Sequence, residues 1–418
     1  MSFLSLFLVV IGLFSFPGFQ TKLVQSFTYD LKKRTGQEVL IDKVSFKWNG
    51  RLKFSNFLIL DHHNDTLLFV KDLSTSIEDF RKLKNNDYNF DRIETSTVLL
   101  NIKKYPQEFS NSLNVFLNKL KKPYNEKRAT FFKSSGITFS KSRFQYIDLN
   151  KARGNTVNIK DIELYAENFK YQLDSFDIDL KMLNGVIESS ESKPFEFTGK
   201  VNYSPGTLIL PFFDIVNDKT HVKGSMSIKG ENNSFKNFND NVKIALSIDN
   251  STLDANALFP NKIKNLYKKP YKISLTASGS LNNLSFKKVL LQNEILFFSG
   301  DLNFKHFFEE QETDWYAIID DLRLSSKAFE DLETLSNSKK QILKNLGLLQ
   351  MSGKLFSQGD SLSMVLFSSN TWGDFSLKGF LGKGLLSSKA FNRKVDLALN
   401  INKLLLDSVT GQNTKITL

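Results

Sequence analysis

The sequence predicts a mostly β protein: an N-terminal transmembrane helix followed by an elongated, curled antiparallel β-sheet, a repeating β-groove with a few short helices. Three observations predict it. Beyond Val39, apolar and polar residues alternate with a period of two through most of the chain. Helical stripes are few, and the strand-like segments are joined by short polar turns such as His63-Asn64-Asp65, which favours antiparallel meanders over βαβ units. A glycine-centred pattern also recurs. Segments starting at Gly199, Gly279 and Gly353 lie 80 and 74 residues apart, and each leads, 21 to 26 residues later, to a second glycine-bearing strand at Gly224, Gly300 and Gly379. Units that bury one face each and stack on their neighbours make a solenoid-like array.

The elements follow in order. Residues 2–21 carry no charge, just enough to span a bilayer as a helix, and neither a basic n-region nor a small-x-small cleavage site marks a cleaved signal. Residues 1–20 are therefore expected to be an uncleaved anchor. In residues 21–36, Leu23, Val24, Phe27 and Leu31 keep helical spacing, Lys32, Lys33 and Arg34 fill the last turn and Gly36 stands where a cap belongs, so a short amphipathic helix is expected. Residues 37–123 read as a β-hairpin cap of the groove. There Val44, Phe46 and Trp48 alternate with Ser45 and Lys47, Val98, Leu100 and Ile102 mark a further strand, and residues 110–121 form a helix with Leu113, Phe116, Leu117 and Leu120 on one stripe.

Residues 124–418 read as the repeating groove. Its clearest strands are residues 273–281, with Ile273, Leu275, Ala277, Gly279 and Leu281 on one face, and residues 395–402, with Val395, Leu397, Leu399 and Ile401 on one face. Phe195-Phe197, Val222-Gly224-Met226-Ile228, Val242-Ile244-Leu246-Ile248 and Phe375-Leu377 alternate in the same way, and a helix pair is expected within residues 326–346.

Chemistry is sparse. The chain has no Cys, which excludes disulfides, thiolate metal sites and a Cys nucleophile. Of four His, His221 and His306 are isolated, and His62 and His63, next to Asp61 and Asp65, read as a polar hairpin turn, because neighbours on an extended strand point to opposite faces. No nucleophile elbow, phosphate loop or dinucleotide fingerprint occurs, and Glu309, Glu310, Glu312, Asp320 and Asp321 read as solvated loop charge. No enzyme activity, metal or cofactor is expected. The formal charge of +12 is spread along the chain without the basic blocks and interleaved aromatics of a nucleic-acid face. Trp48, Trp315 and Trp372 are too scattered for a glycan platform.

Phe supplies 39 residues against 11 Tyr and 3 Trp, and Phe has no polar handle with which to face water. A compact sandwich core and a curled trough that accepts aliphatic chains both account for such apolar faces.

Several segments resemble TamB-like proteins of the Bacteroidota branch, within the AsmA-like superfamily: PGFQT at 17–21, VLIDKVSFKWNGRLKFSNFLILDHHNDTLLFVKDL at 39–73, VLLNIKKY at 98–105, ASGSLNNLSFKKVLLQNEILFFSGDLNF at 277–304, LSSKAFEDLETLSN at 324–337 and LGLLQMSGKLFSQGD at 346–360. The likeness lies in a pattern of apolar and small residues. It implies an inner-membrane, single-pass protein whose bulk lies in the periplasm, with a β-groove that carries phospholipid acyl chains toward the outer membrane and a partner barrel of the TamA/Omp85 type. It also implies a longer protein, since the chain stops at Leu418 in what reads as mid-strand. On this reading the groove is lined by Phe195, Phe197, Met226, Ile228, Ile273, Leu275, Leu281, Phe375, Leu377, Val395, Leu397, Leu399 and Ile401. The alternative function is a scaffold that assembles outer-membrane β-barrel proteins by strand-edge pairing.

Overall fold

A computed structural model describes residues 28–29, 32–33, 35–46, 50–78, 87–120, 131–150, 155–172, 175–188, 193–254, 269–306, 314–329, 347–358, 361–370, 372–382 and 395–404. The expected anchor at 1–20, most of the helix at 21–36, Trp48, the tetrad Glu309 to Glu312 and all but the first turn of the helix pair within 326–346 lie outside them. No helix among the described residues is long and apolar enough to cross a membrane. Thr28, Tyr29, Lys32, Lys33 and Thr35 are helical, and Gly36, at φ +65, donates its N–H to the Lys32 carbonyl at 2.8 Å, which ends the helix where the sequence places its cap.

The chain divides into two compact units, Met1–Ser204 and Pro205–Leu418. The first holds β1 (Val39–Phe46), β2 (Arg51–Leu60), β3 (Thr66–Ser76), β4 (Asp87–Lys104), α1 (Ser112–Leu120), β5 (Phe131–Asp148), β6 (Asn155–Gln172), β7 (Ser175–Ile187) and β8 (Lys193–Ser204). Each strand pairs with the next. All pairs are antiparallel except β4–β5, which is parallel, a departure from the uniform meander expected. Parallel neighbours need a crossover of a dozen residues or more, and residues 105–130, which contain α1, provide it. The helix starts two residues later than the apolar stripe suggested, because Asn111 is its N-cap. The Asn111 Oδ1 accepts the Asn114 N–H at 2.8 Å and the Asn111 carbonyl accepts the Val115 N–H at 3.0 Å. Phe116 then packs with Val39, Ile59 and Leu67 in a buried cluster, flanked by Leu113, Phe57 and Leu68.

The second unit is an antiparallel meander of eleven strands: β9 (Thr207–Asn217), β10 (Thr220–Gly230), β11 (Val242–Leu253), β12 (Tyr271–Ser280), β13 (Asn283–Gln292), β14 (Leu296–Lys305), β15 (Asp314–Ser325), β16 (Leu348–Gln358), β17 (Ser361–Asn370), β18 (Gly373–Leu381) and β19 (Val395–Leu404). Among its described residues the only helical pieces are one-turn elements: α2 (Phe238–Asn241) and the 3₁₀ turns Glu231–Asn233 and Ser326–Phe329.

Several strands carry a left-handed residue part-way along. Asn56, Thr97, Lys141, Asp161, Asn168, Asn250 and Lys288 sit inside strands with φ between 42° and 55°, and several coincide with register shifts. A β-bulge bends its strand and raises the local twist. Each frees a backbone group, and a side chain on the neighbouring strand often satisfies it. Ser142 Oγ accepts the Val98 N–H at 3.0 Å, Ser274 Oγ the Asn250 N–H at 2.9 Å, and Asp301 Oδ1 the Lys288 N–H at 2.9 Å. A one-residue bulge also returns residues an odd number apart to one face. Thus Leu100 and Thr95 face the same way, as do Phe144 with Phe139 and Ile159 with Leu164. Asp320 and Asp321 are strand residues of this kind, not loop charge. They fill the shift between Ile319 and Leu322 in β15, where the Arg323 guanidinium holds Asp321.

Candidate functional site

Register, rather than proximity in sequence, assembles the apolar face of the second unit. Reading partner to partner from β9 to β19, one row runs Leu210, Met226, Leu246, Ala277, Phe286, Leu302, Ala317, Leu355, Met364, Gly379, Leu397. No polar side chain interrupts it. The row beside it runs Leu208, Ile228, Ile244, Gly279, Leu284, Phe304, Trp315, Ser357, Leu362, Leu381, Val395, with a single serine. On the other side, Val289, Gly300, Ile319, Gly353, Leu366, Leu377 and Leu399 form a third row. Leu291, Phe298, Leu322, Met351, Ser368, Phe375 and Ile401 form a fourth, which Ile273 joins through Leu291.

Among the described residues of this unit, every buried apolar residue lies on this face: Leu210, Phe213, Val242, Tyr271, Ile273, Ala277, Val289, Ala317 and Ile319. The opposite face carries Ser227, Ser278, Ser285, Asn303, Ser363 and Asp396 in its matching row, together with exposed Phe356 and Phe380.

Of the thirteen residues expected to line a groove, eight fall into these rows with described side chains or pair directly into them: Met226, Ile228, Ile273, Phe375, Leu377, Leu397, Leu399 and Ile401; Leu275 pairs with Ile248, outside the four rows. Val395 shares the register by backbone. Leu281 does not belong. β12 ends at Ser280 and Leu281 stands in the turn to β13, because Asn282 and the turn to Asn283 end the alternation one residue before it. Phe195 and Phe197 lie in the first unit, in β8, where Phe197 ends a row running Val44, Phe54, Leu73, Thr95, Phe139, Leu164, Leu183, Phe197, and the Phe195 ring covers Gly185. Burial varies along the face: Ile273 is 6% exposed, whereas Leu397, Leu399 and Ile401 on β19 are 46%, 55% and 53% exposed.

Sequence reading missed an aromatic ladder along one end of β4–β8. Phe90, Phe132, Phe169, Phe176 and Tyr203 succeed one another at centroid distances of 5.0, 5.6, 6.5 and 5.2 Å, within the range of favourable ring pairs. The rings are far apart in sequence, and only the pairing register of five strands lines them up.

A second cluster is polar and sits at the β2–β3 turn. The turn is built on Asp61, whose Oδ1 accepts the N–H groups of His63 at 2.8 Å and Asp65 at 3.0 Å, with Asn64 at φ 64. The expected polar turn is present, but the strand rule that neighbouring side chains point apart does not hold in it. Both Nε2 atoms reach one carboxylate: His62 lies 2.9 Å from Glu108 Oε2 and His63 2.8 Å from Glu108 Oε1. The Tyr105 hydroxyl sits 2.7 Å from Asp61 Oδ2 and 2.6 Å from Asp65 Oδ2, and Lys103 Nζ donates to Asp65 at 2.7 Å. The Lys103 ammonium, then the Tyr105 hydroxyl, hold the Asp65 carboxyl below its ordinary range. Burial, reinforced by the two Asp carboxylates, pushes the Tyr105 phenol up. Hydrogen bonds from His63 and then His62 lower Glu108.

No protein-family model and no curated protein matches this chain.

Proposed function

We propose that the apolar face of β9–β19 is a non-enzymatic lipid conduit, with acyl chains lying against the four inward rows and head groups along the polar margin. The observation that carries the reading is the row from Leu210 to Leu397, eleven strands without a polar side chain. At about 4.8 Å per strand it spans on the order of 50 Å. A chain moving along a uniform apolar face never exposes its methylenes to water, at about 0.8 kcal/mol apiece, so no local chemistry is required. If the resemblance to TamB-like proteins holds, this activity would lie in the periplasm, with residues 1–20 as an inner-membrane anchor and an Omp85-type barrel as outer-membrane partner. The phospholipids would move toward the outer membrane.

The test is phospholipid co-purification. The chain is extracted from membranes and its bound lipid quantified by mass spectrometry for the wild type, Met364→Glu and Leu397→Glu on the inward row, and Ser363→Asp on the outward face. Leu397 is half exposed, so its substitution should cost less than about 0.5 kcal/mol in stability. Lipid per chain should fall severalfold in both inward variants and stay unchanged in the outward one. Equal lipid in all four, or none in the wild type, overturns the reading and favours a core or an edge-pairing scaffold.

A further inference from the structure

We propose that His62, His63 and Glu108 form a binding site for a divalent transition metal, Zn²⁺ first, that clasps the β2–β3 turn to the segment leading into α1. Two imidazole Nε2 atoms and a carboxylate oxygen lie within 4.8 Å of one another. Zn²⁺ bonds of about 2.0–2.2 Å to His and Glu put ligand atoms roughly 3.4 Å apart in a tetrahedron, so small side-chain rotations close the distance. The two nitrogens favour zinc over magnesium or calcium. Three protein ligands leave a position for water, and the site is open to it, with the His63 and Glu108 side chains 44% and 31% exposed.

The surroundings hold the donors in place. Asp61 anchors the His63 backbone, and the His63 ring lies 3.8 Å from the Tyr105 ring, with His62 edge-on to Tyr105 at 5.5 Å. The Tyr105 hydroxyl in turn donates toward the Asp61 and Asp65 carboxylates. One feature restrains affinity. His62 Nδ1 is buried and has no hydrogen-bond partner among the described residues. Binding at Nε2 moves the ring proton to Nδ1, where no acceptor waits, so the dissociation constant should lie on the order of micromolar rather than nanomolar.

The location supplies the consequence. His62 and His63 belong to the turn beside Leu67, and Glu108 precedes α1 by four residues, so an ion between them ties the two sides of the buried cluster around Phe116. The clasp does not depend on lipid transport, and either proposal stands if the other fails.

The experiment uses the full chain with any affinity tag removed. Zinc is titrated by calorimetry, cobalt is titrated with its visible absorption recorded, and amide exchange of residues 112–120 is followed with and without zinc. Expected are one zinc per chain, cobalt bands of four- or five-coordinate intensity, slower exchange in α1, and a tenfold or greater loss of affinity in both His63→Ala and Glu108→Gln. Glu108→Gln keeps the side chain's shape and one carbonyl acceptor and so should preserve the fold, while His221→Ala, whose imidazole pairs with Asp214, should bind as the wild type does. Absence of stoichiometric binding below 100 µM (roughly 5.5 kcal/mol), binding untouched by both variants, or binding that leaves α1 exchange unchanged overturns the proposal.

Discussion

The two units use the same alternating strands to different ends. In the first, β4, β5 and β6 are 18 residues long, β4 and β5 are parallel, and the crossover this demands lays α1 over the apolar residues of β1–β3. In the second, strands of 9 to 12 residues follow one another antiparallel, and no described helix exceeds four residues. A hairpin meander needs no crossover, and among the described residues of the second unit no helix comparable to α1 occurs. One reversal of strand direction thus accompanies a face covered by its own crossover helix, for which the described residues of the second unit hold no counterpart.

Breaking the seal should have the largest effect. Phe116→Ala removes the ring at the centre of the buried cluster and should destabilise the first unit by about 3 kcal/mol, read as a lowered urea midpoint that tryptophans of the second unit, Trp315 and Trp372, do not follow. Next comes close strand approach in the second unit. Gly353 has φ +141, and a Cβ there would lie 2.1 Å from the Val365 carbonyl oxygen. Gly353→Ala must push β16 from β17 and should cost about 2 kcal/mol, seen as faster amide exchange in those two strands only. A smaller effect belongs to the bulge of β4. Ser142, 3% exposed, accepts the Val98 N–H, so Ser142→Ala should cost about 1 kcal/mol in thermal denaturation.

The smallest effect is pH-dependent. The Lys287 ammonium holds Asp301 below its ordinary value of 3.8, with help from the Lys288 N–H. A lowered folded value means the stabilisation is present above pH 4 and disappears as pH falls through and below 3.8. Because the pair is partly solvated, the gap between wild type and Asp301→Asn should be a few tenths of a kcal/mol at pH 7 and shrink as pH falls below 3.8.

Alternation made Met226, Ile273, Leu377 and the β19 residues legible, because a side chain's face follows from counting by two. The bulges were not. Asn and Asp tolerate positive φ, but Thr97, Lys141 and Lys288 adopt it as well, and nothing local distinguishes those residues from their neighbours. Each bulge shifts the count, so Asp320 and Asp321 read as loop charge while sitting inside β15. The parallel β4–β5 pair was hidden for another reason: its contacts span the whole crossover, and strand direction leaves no mark on composition. His62 and His63 stand in the polar turn that the sequence assigned to them, but the rule used to separate their side chains is one for strands and does not hold in a turn nucleated by Asp61.

The sequential antiparallel order of β9–β19 makes the length of this sheet adjustable in quanta. Removing two consecutive strands, such as β13 and β14, brings Ala317 opposite Ala277, with strand direction and facing preserved. Removing one strand would force all that follow to run backwards. Such a scaffold lengthens or shortens by whole hairpins without redesign of what remains, so its reach is a property that duplication and deletion can tune directly.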